Sequence, residues 1–358
     1  MERKLAAYLH FQRCTPFSEQ TTFASSYLDM VAVICLCYNH SEYLEETLNS
    51  VLAQTMPPAE LWIVDDASTD GSAIKIEQWI HKNKEILPFP IFFIKNEENK
   101  GNCKSFNLAF EQIKSPFVID LAADDCLAEH RIALQYEVFS KLPPTTAVVF
   151  SNAWLIDAQS RIFATHFPID KAGKATTSVP SGWIYDEVLR HYFICTPTMM
   201  MRTEVLRALD GYDETLSYED FDFWVRTTPF YTYHYIDECT TFKRILPHSH
   251  AQGFYTPYQN AHLRSTHRIC LKIANQYMAF TNTVLFANLL AYYVRQSVYM
   301  QDYATGKLFY ALYTQISPKK SLSMRFLGLL LKWKLPLYPF YKKYLWLRKK
   351  MLNAFALR

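Results

Sequence analysis

Two short apolar runs in this chain each lead to a pair of adjacent aspartates, and this feature limits the fold more than any other. Residues 117–121 lead to Asp124 and Asp125, and a similar run leads to Asp65 and Asp66. Runs of this kind are typical of strands buried in a parallel sheet. Because ligands of open α/β sheets bind at the carboxyl ends of the strands, the sequence predicts one crevice lined by carboxylates. A solvated Asp-Asp turn is the alternative for each pair.

Predicted strands and helices alternate from residue 30 to about residue 150, and this order indicates how the crevice is built. A third apolar run, residues 30–36, leads to Tyr38 and Asn39, so a third strand brings polar side chains to the same edge. Apolar residues recur at helical spacing in 42–54 and in 72–82. This alternation predicts an α/β fold with a mostly parallel central sheet flanked by helices.

The scarcity of glycine excludes two common ways of binding phosphate. The chain has 8 glycines, and neither a P-loop nor the glycine-rich dinucleotide-binding signature is present. Any bound phosphate must therefore be held by a metal ion and by side chains. Two adjacent carboxylates supply the oxygen ligands that suit Mg²⁺ or Mn²⁺, and either ion would hold a diphosphate.

The cysteines and the N-terminal residues predict a cytoplasmic protein. The eight cysteines are scattered without zinc-site spacing, which favours a reducing compartment. Residues 1–29 lack the apolar core of a signal peptide, and we interpret them as an N-terminal extension. Residues 273–294 are free of charge over 22 residues, but Asn and Gln interrupt them. We predict a buried or interfacial helix there rather than a transmembrane span.

Six short motifs occur in the order in which a known family carries them. With these motifs the chain resembles the family 2 glycosyltransferases, inverting enzymes with the nucleotide-diphospho-sugar transferase (type A) fold. The resemblance implies a catalytic domain at 30–255, with a nucleotide-sugar half at 30–126 and an acceptor half at 127–255, followed by a helical, basic region at 256–358. The motifs lie at residues 33–39, 48–55, 63–72, 122–125, 211–214 and 219–220.

The resemblance implies roles for the two aspartate pairs. Asp125 is the expected main metal ligand, and Asp124 shares the metal or contacts the ribose. Asp66 is expected to accept the N3–H of uracil or thymine, which predicts a UDP- or dTDP-sugar as donor. Asp65 is a second nucleotide-binding candidate, with a structural role as the alternative. Many relatives carry a further Asp where this chain has Ala122, and this difference bears on the metal ligands.

Other side chains are expected to complete the nucleotide pocket. Tyr38 and Asn39 follow the first strand and would line the pocket, with a packing Tyr and a turn Asn as the alternatives. Four basic residues are weaker candidates, because a solvated side chain is the simpler interpretation of each: Lys100, Lys104, Arg244 and His248.

Inversion of configuration needs one base that deprotonates the acceptor hydroxyl as it attacks. The family carries this base in the motif that corresponds to Glu219 and Asp220, so Asp220 is the candidate base. The predicted helix N-terminus at this position favours an ionised carboxylate. Glu219 is expected to position Asp220 or the acceptor. An acidic first helical turn without catalytic function is the alternative.

The resemblance thus predicts transfer of a sugar to a saccharide or lipid-linked acceptor in surface polysaccharide synthesis. A nucleotidyltransferase is a second possibility, although it would need a Gly-rich loop with Arg and Lys after the first strand. A non-catalytic nucleotide-sugar-binding protein is a third. The presence of both Asp125 and Asp220 argues against this third interpretation.

The C-terminal residues have a charge unlike that of the rest of the chain. The net charge is +3, yet 303–358 carries 12 Lys and Arg and no acid, which leaves −9 on the remainder. Residues 319–358 interleave basic with apolar and aromatic residues, which suits a helix lying in the headgroup plane of an anionic membrane. A basic helical cap on the catalytic domain is the alternative. Nucleic acid is not expected as a partner, because no recognised nucleic-acid module accompanies the charge.

Overall fold

The computed structural model describes residues 30–246, 250–319, 321–345 and 347, so the predicted N-terminal extension at 1–29 lies outside it. These residues form one nine-stranded sheet flanked by helices. The strands are β1 (Val31–Cys37), β2 (Glu60–Asp65), β3 (Ile91–Lys95), β4 (Phe117–Ala122), β5 (Cys126–Leu127), β6 (Thr146–Ile156), β7 (Ile162–Thr165), β8 (Met200–Arg202) and β9 (Thr232–Arg244).

The sheet is parallel in its first half and mixed in its second. Its order is β3-β2-β1-β4-β8-β6-β9-β5, and β7 pairs with β6. The first four strands in this order are parallel, whereas β8 is antiparallel to both β4 and β6. Leu36 pairs with Ala122, and Cys37 pairs with Asp65, so β1, β2 and β4 end at one edge of the sheet. The predicted crevice edge is therefore formed as the sequence pattern indicated.

Helices cover both faces of the sheet and continue beyond it. They are α1 (Leu44–Leu52), α2 (Ser72–Asn83), α3 (Asn102–Phe110), α4 (Arg131–Ser140), α5 (Tyr185–Arg190), α6 (Thr203–Ala208), α7 (Asp220–Thr227), α8 (Ala261–Lys272), α9 (Thr283–Tyr299), α10 (Tyr303–Ile316) and α11 (Leu322–Trp333).

The hydrophobic core lies in two layers, one on each face of the sheet. Val33 and Cys35 of β1 point into the layer formed with α1, α2 and α4, and Ile34 points into the layer formed with α3. Because β1 is buried on both faces, its sequence is continuously apolar. The second layer also contains Phe286 of α9 and Phe309 of α10, so the C-terminal helices share one core with the sheet. The seven cysteines of the described residues are all buried and unpaired.

The charge-free residues 273–294 do not form one helix. The backbone is π-helical over Ile273–Tyr277 and 3₁₀-helical over Met278–Phe280. Asn282 then caps α9, and its side-chain oxygen accepts the Val284 N–H at 3.1 Å. Among the described residues, no helix combines the length and the hydropathy needed to cross a membrane.

One strand is much longer than its sequence pattern indicated, and the extension matters for the site. The alternation predicted a strand at 231–236, but β9 runs from Thr232 to Arg244. It changes register along β6, with shifts around Asn152, so a single alternating pattern does not describe it. Its last residues pair with β5, which places Phe242 opposite Cys126. The end of β9 therefore lies directly beside Asp125.

An ion-pair network joins α8 to α7. The Lys272 amino group lies 2.6 Å from the Asp213 carboxylate and 2.5 Å from that of Asp222. Asp222 is completely buried and also contacts Arg226 at 2.7 Å. Because a buried carboxylate is costly without cations beside it, Lys272 is a structural requirement of α7.

We expect Lys272→Ala to lower the free energy of unfolding by about 2 to 4 kcal/mol, because it removes one cation from a buried carboxylate. Chemical denaturation monitored by circular dichroism measures this change. The matched control is Lys82→Ala, which breaks an exposed pair with Glu45 and should cost less than about 1 kcal/mol. Equal losses in the two variants would contradict the structural role of Lys272.

Candidate functional site

The site begins with the aspartate pair at the carboxyl end of β4. Ala123 N–H donates to Leu36 O at 2.9 Å, which fixes the start of the turn, and Asp125 N–H donates to Ala122 O at 3.0 Å. The residues Asp124 and Asp125 are 9% and 5% exposed. These carboxylates are not solvated turn residues, because the turn is held against β1 and covered by neighbouring residues.

Arg244, the last residue of β9, holds this turn from the opposite side. Its backbone N–H donates to Asp125 Oδ1 at 2.7 Å, and its Nε donates to Asp124 O at 2.9 Å. The rest of the guanidinium donates to Asp157 O at 2.9 Å and to Glu46 Oε2 at 2.6 Å. Arg244 thus makes two contacts with the aspartate turn and ties that turn to two other segments, at Asp157 and Glu46. It is not a solvated side chain.

Burial, followed by the charge of the neighbouring Asp124 carboxylate, raises the pKa of Asp125 to about 8. Cations at Lys243 and Arg244 oppose the shift without removing it. Because burial disfavours the ionised form of Asp125, a cation beside the carboxylate would stabilise that form. The arrangement is typical of a site that a divalent ion completes.

This pKa predicts how stability depends on pH when no metal is present. The pKa in the folded state lies above the value of about 3.8 in the unfolded state, so the folded protein holds the extra proton. The stabilisation is complete below about pH 4 and is lost as the pH rises through about 8.

We expect Asp125→Asn, measured by thermal unfolding in excess chelator, to lose stability less steeply than wild type between pH 5 and pH 8. The reason is that the amide has no proton to lose, and the variant should be the more stable protein at about pH 8. Wild-type and variant curves with the same slope would show that Asp125 does not titrate in this range.

Asp66, at the end of β2, organises the loop that follows β3. Asp66 Oδ1 accepts the Asn96 side-chain amide and the Lys100 N–H, both at 2.8 Å. Asp66 Oδ2 accepts the Gly101 N–H at 2.9 Å. A carboxylate accepts about four hydrogen bonds, so one acceptor position remains on Oδ2 for an N–H donor. Asp66 therefore has a structural role in addition to the predicted recognition of a base.

The first and second strands are joined at their ends by side chains of the nucleotide-pocket candidates. Asn39 has a positive φ of 58°, its N–H donates to Ser68 Oγ at 2.9 Å, and its Oδ1 accepts the Thr69 N–H at 2.8 Å. Asp65 Oδ2 accepts the Ser68 N–H at 3.1 Å, whereas Asp65 Oδ1 is buried without a partner among the described residues. Tyr38 is 47% exposed beside these loops, and its ring is available for a ligand.

A second acidic group lies at the N-terminus of α7. Asp220 is the first residue of this helix, and its Oδ2 accepts the Thr196 hydroxyl at 2.9 Å. Glu219 Oε2 accepts the Asn102 side-chain amide at 2.6 Å. Asn102 directly follows Gly101, whose N–H donates to Asp66. The hydrogen bond to Glu219 therefore connects the loop after β3 to the N-terminus of α7.

The structure adds Asp120 to this second group, although the sequence analysis assigned it no role. Tyr212 donates its hydroxyl to Asp120 Oδ2 at 3.3 Å. Burial, followed by the charges of Glu219 and Asp220, raises the pKa of Asp120 well above its usual value. A charged residue inside an apolar strand run was the available signal, because such a position is rare without a polar partner.

The remaining candidates are placed differently. Lys100 contributes its backbone N–H to Asp66, and Lys104 is exposed on α3 with no hydrogen bond or ion pair to the described residues. His248 lies outside the described residues. His40, which the sequence analysis did not single out, places Nε2 at 3.9 Å from Asp124 Oδ2. The available signal was its position three residues after the end of β1, at the crevice edge.

The donor set at the end of β4 fits a hard divalent cation. Within the described residues, no cluster of three His, Cys, Asp or Glu side chains is arranged around a metal position. Asp124 and Asp125 nevertheless suffice for Mg²⁺ or Mn²⁺, because these ions are commonly held by one or two carboxylates and completed by substrate phosphates and water. The single hydrogen bond that the described residues donate to the Asp125 carboxylate goes to Oδ1.

Comparison with known proteins identifies the family. The profile of glycosyl transferase family 2 matches residues 32–208, which include β1 to β4 and the Asp124–Asp125 turn. The chain belongs to this family. A putative teichuronic acid biosynthesis glycosyltransferase of Bacillus subtilis is 30% identical over 175 residues, covering 49% of this chain and 63% of that protein. An uncharacterized glycosyltransferase of Methanocaldococcus jannaschii is 27% identical over 203 residues, covering 55% and 64%.

Solved structures agree with the family assignment at the level of the fold. S. aureus TarS 1-349 superposes with a TM-score of 0.58 at 16% identity, covering 88% of this chain and 91% of that one. A mannosyltransferase from Pyrobaculum calidifontis, in complex with GDP-Man and Mn²⁺, gives 0.51 at 15% identity, covering 96% and 90%. The chain described here therefore has the type A nucleotide-sugar transferase fold. It spans under two thirds of the length of the first two curated relatives.

Proposed function

We propose that this protein is an inverting, metal-dependent glycosyltransferase that moves a sugar from a UDP- or dTDP-sugar to a saccharide or lipid-linked acceptor. The observation that carries the proposal is the short connection between the nucleotide-pocket candidate Asp66 and the second acidic group. Asp66 accepts the Gly101 N–H, and the next residue, Asn102, donates to Glu219, which directly precedes Asp220. A donor nucleotide at Asp66 and an attacking hydroxyl at Asp220 would thus be held by one connected set of residues.

Each acidic group has its own part in the proposed reaction. Asp125 and Asp124 would hold Mg²⁺ or Mn²⁺, and a bound ion would supply positive charge against the leaving diphosphate. Asp220 Oδ2 holds the acceptor hydroxyl and takes its proton as the new glycosidic bond forms. Thr196 keeps Asp220 oriented, and the Asn102–Glu219 hydrogen bond closes the other side of the acceptor position.

The donor is proposed from the remaining acceptor position on Asp66 Oδ2. Uracil and thymine present an N3–H donor, whereas N3 of cytosine is an acceptor that a carboxylate would repel. Tyr38 and Asn39 follow β1, the strand that neighbours β2 and Asp66, and they would contact the nucleoside. The TarS fold relative has been solved in complex with UDP and with UDP-GlcNAc, which supports this class of donor.

The nature of the product separates the proposal from its alternatives. A glycosyltransferase releases UDP or dTDP from a nucleotide-sugar and should need Mg²⁺ or Mn²⁺ to do so. A nucleotidyltransferase would release diphosphate from a nucleoside triphosphate, and a binding protein would release nothing. Assaying nucleotide release from a panel of nucleotide-sugars and diphosphate release from nucleoside triphosphates, each with and without chelator, distinguishes the three. Anomeric NMR of the product tests inversion.

We expect Asp220→Asn to lower the turnover of this release about 100-fold or more, because the amide cannot take a proton. Donor affinity should be preserved, and equilibrium binding of the nucleotide measures it separately. The matched control is Asp210→Asn, an exposed position with φ of 57° that Asn also tolerates, and it should leave turnover unchanged. A loss of donor affinity without a loss of turnover would remove Asp220 as the base.

We also propose that the C-terminal segment holds the enzyme at the cytoplasmic face of an anionic membrane. Helix α11 has two apolar faces: Met324 and Leu331 are buried against the core, whereas four other apolar side chains are 45% to 82% exposed. These four recur at helical spacing and form one stripe: Leu322, Phe326, Leu329 and Trp333. Arg325 and Lys332 are exposed beside the stripe, which suits contact with anionic lipid.

We expect the triple variant Leu322→Gln, Phe326→Gln and Trp333→Gln to lose most of its binding to anionic liposomes while it stays folded, because the substituted side chains are exposed. Flotation measures the bound fraction, and wild-type binding should weaken with salt. The control variant Ile74→Gln, Ile86→Gln and Phe163→Gln changes side chains of comparable exposure, 58% to 66%, elsewhere on the protein. Equal loss in both variants, or equal wild-type binding to neutral liposomes, would refute the anchoring role.

A further inference from the structure

A cleft of about 580 Å³ lies between α9 and the helical residues 338–345, outside the acidic crevice. Aromatic side chains dominate its lining, and five of them are tyrosines from three separate segments: Tyr255, Tyr292, Tyr299, Tyr341 and Tyr344. The Tyr299 and Tyr341 rings stack with centroids 4.5 Å apart, and Tyr344 continues the row with centroids 6.2 Å from Tyr341. The cleft is therefore a row of flat faces with hydroxyls at their edges.

The polar groups of the cleft limit what it can hold. Gln296 is 6% exposed and Arg295 packs its guanidinium over the Tyr292 ring at 5.6 Å. The Gln296 side chain hydrogen-bonds to Tyr341, and a hydrocarbon chain would cover the other tyrosine hydroxyls without offering them a hydrogen bond, which costs free energy. A pyranose ring presents C–H groups on its faces and hydroxyls on its rim, so it matches aromatic faces and polar edges at once.

The charge around the cleft favours an anionic ligand. Among the described residues that line the cleft, Arg295 is the one charged side chain, and none is a carboxylate. Lys342 and Lys343 are exposed on the segment that forms one wall, and the chain has no Asp or Glu after Asp302. A carboxylate or phosphate on a saccharide would therefore be attracted, whereas a cation would be repelled.

The cleft is adjacent to the segment that carries the proposed base. Phe254 directly precedes Tyr255 in the chain and packs on Tyr218 with ring centroids 5.1 Å apart. Tyr218 lies two residues before Asp220. On the other wall, Tyr292 contacts Tyr293 at 5.1 Å, and Asp220 is among the groups that raise the pKa of Tyr293 after burial, Cys270 and Tyr292. Phe254 and Tyr218 thus link one wall of the cleft to the segment that carries Asp220.

We propose that this cleft is a second binding site for an anionic saccharide, where it holds the part of the acceptor chain that is remote from the reacting hydroxyl. Its place in acceptor recognition rests on the proposed glycosyltransferase function, but saccharide binding by the cleft does not need catalysis. The structural basis is the juxtaposition of the tyrosine row with Arg295 and Gln296.

Isothermal titration of the full chain with tetragalacturonic acid, without nucleotide or metal, tests the site, and maltotetraose is the matched neutral probe. We expect Tyr292→Ala and Tyr344→Ala to weaken binding of both tetramers about fivefold, since each removes one exposed stacking face. Arg295→Gln should weaken only the acidic tetramer, also about fivefold. Phe163→Ala, an exposed aromatic on β7, is the control and should bind as wild type does.

Absence of tetragalacturonate binding by wild type up to about 10 mM, or equal binding by wild type and all three cleft variants, overturns the proposal. Tighter binding of maltotetraose than of the acidic tetramer overturns the anionic assignment. Nucleotide release by the cleft variants should match wild type when donor hydrolysis alone is measured. Failure of wild type to bind tetragalacturonate, together with normal nucleotide release, therefore refutes the cleft, whereas normal saccharide binding by a protein that releases no nucleotide refutes the proposed function.

Discussion

The site depends on Arg244 more than on any other single residue. Its backbone fixes the Asp125 carboxylate, and its guanidinium ties the Asp124 carbonyl to α1 and to the turn after β6. The guanidinium is completely buried and lies over the Tyr43 ring at 4.5 Å. Such an arrangement keeps the two carboxylates side by side although burial favours protonation of Asp125. Arginine suits this position because its planar fork donates several hydrogen bonds in fixed directions, which a lysine cannot do.

Much of the fold follows from local sequence patterns. Buried parallel strands leave continuous apolar runs, and the paired aspartates mark where β2 and β4 end. The fold class and the family could therefore be predicted, and the comparisons confirm both. The proposed roles of the individual site residues remain predictions, including those of Asp125, Asp66 and Asp220.

Contacts between distant segments could not be predicted in the same way. Asp66 appeared to be free for a ligand, whereas it already accepts three hydrogen bonds from the loop after β3. The length of β9 was underestimated, because register shifts against β6 break its alternation. Asp120 was overlooked, since nothing local indicates that Tyr212, 92 residues away, donates to it. Each omission reflects a side chain whose partner is set by tertiary packing.

The Asp125–Arg244 hydrogen bond joins residues 119 positions apart, and this separation affects how the protein is made. During synthesis, β1 to β4 can pair as soon as they emerge, because their connections are local. The turn after β4 acquires its anchor only when β9 has been added beside β6. A nascent chain that ends before Arg244 therefore lacks these anchors of the aspartate pair. The final geometry of the pair is set only once the chain has been made as far as the end of β9, although the pair itself follows β4.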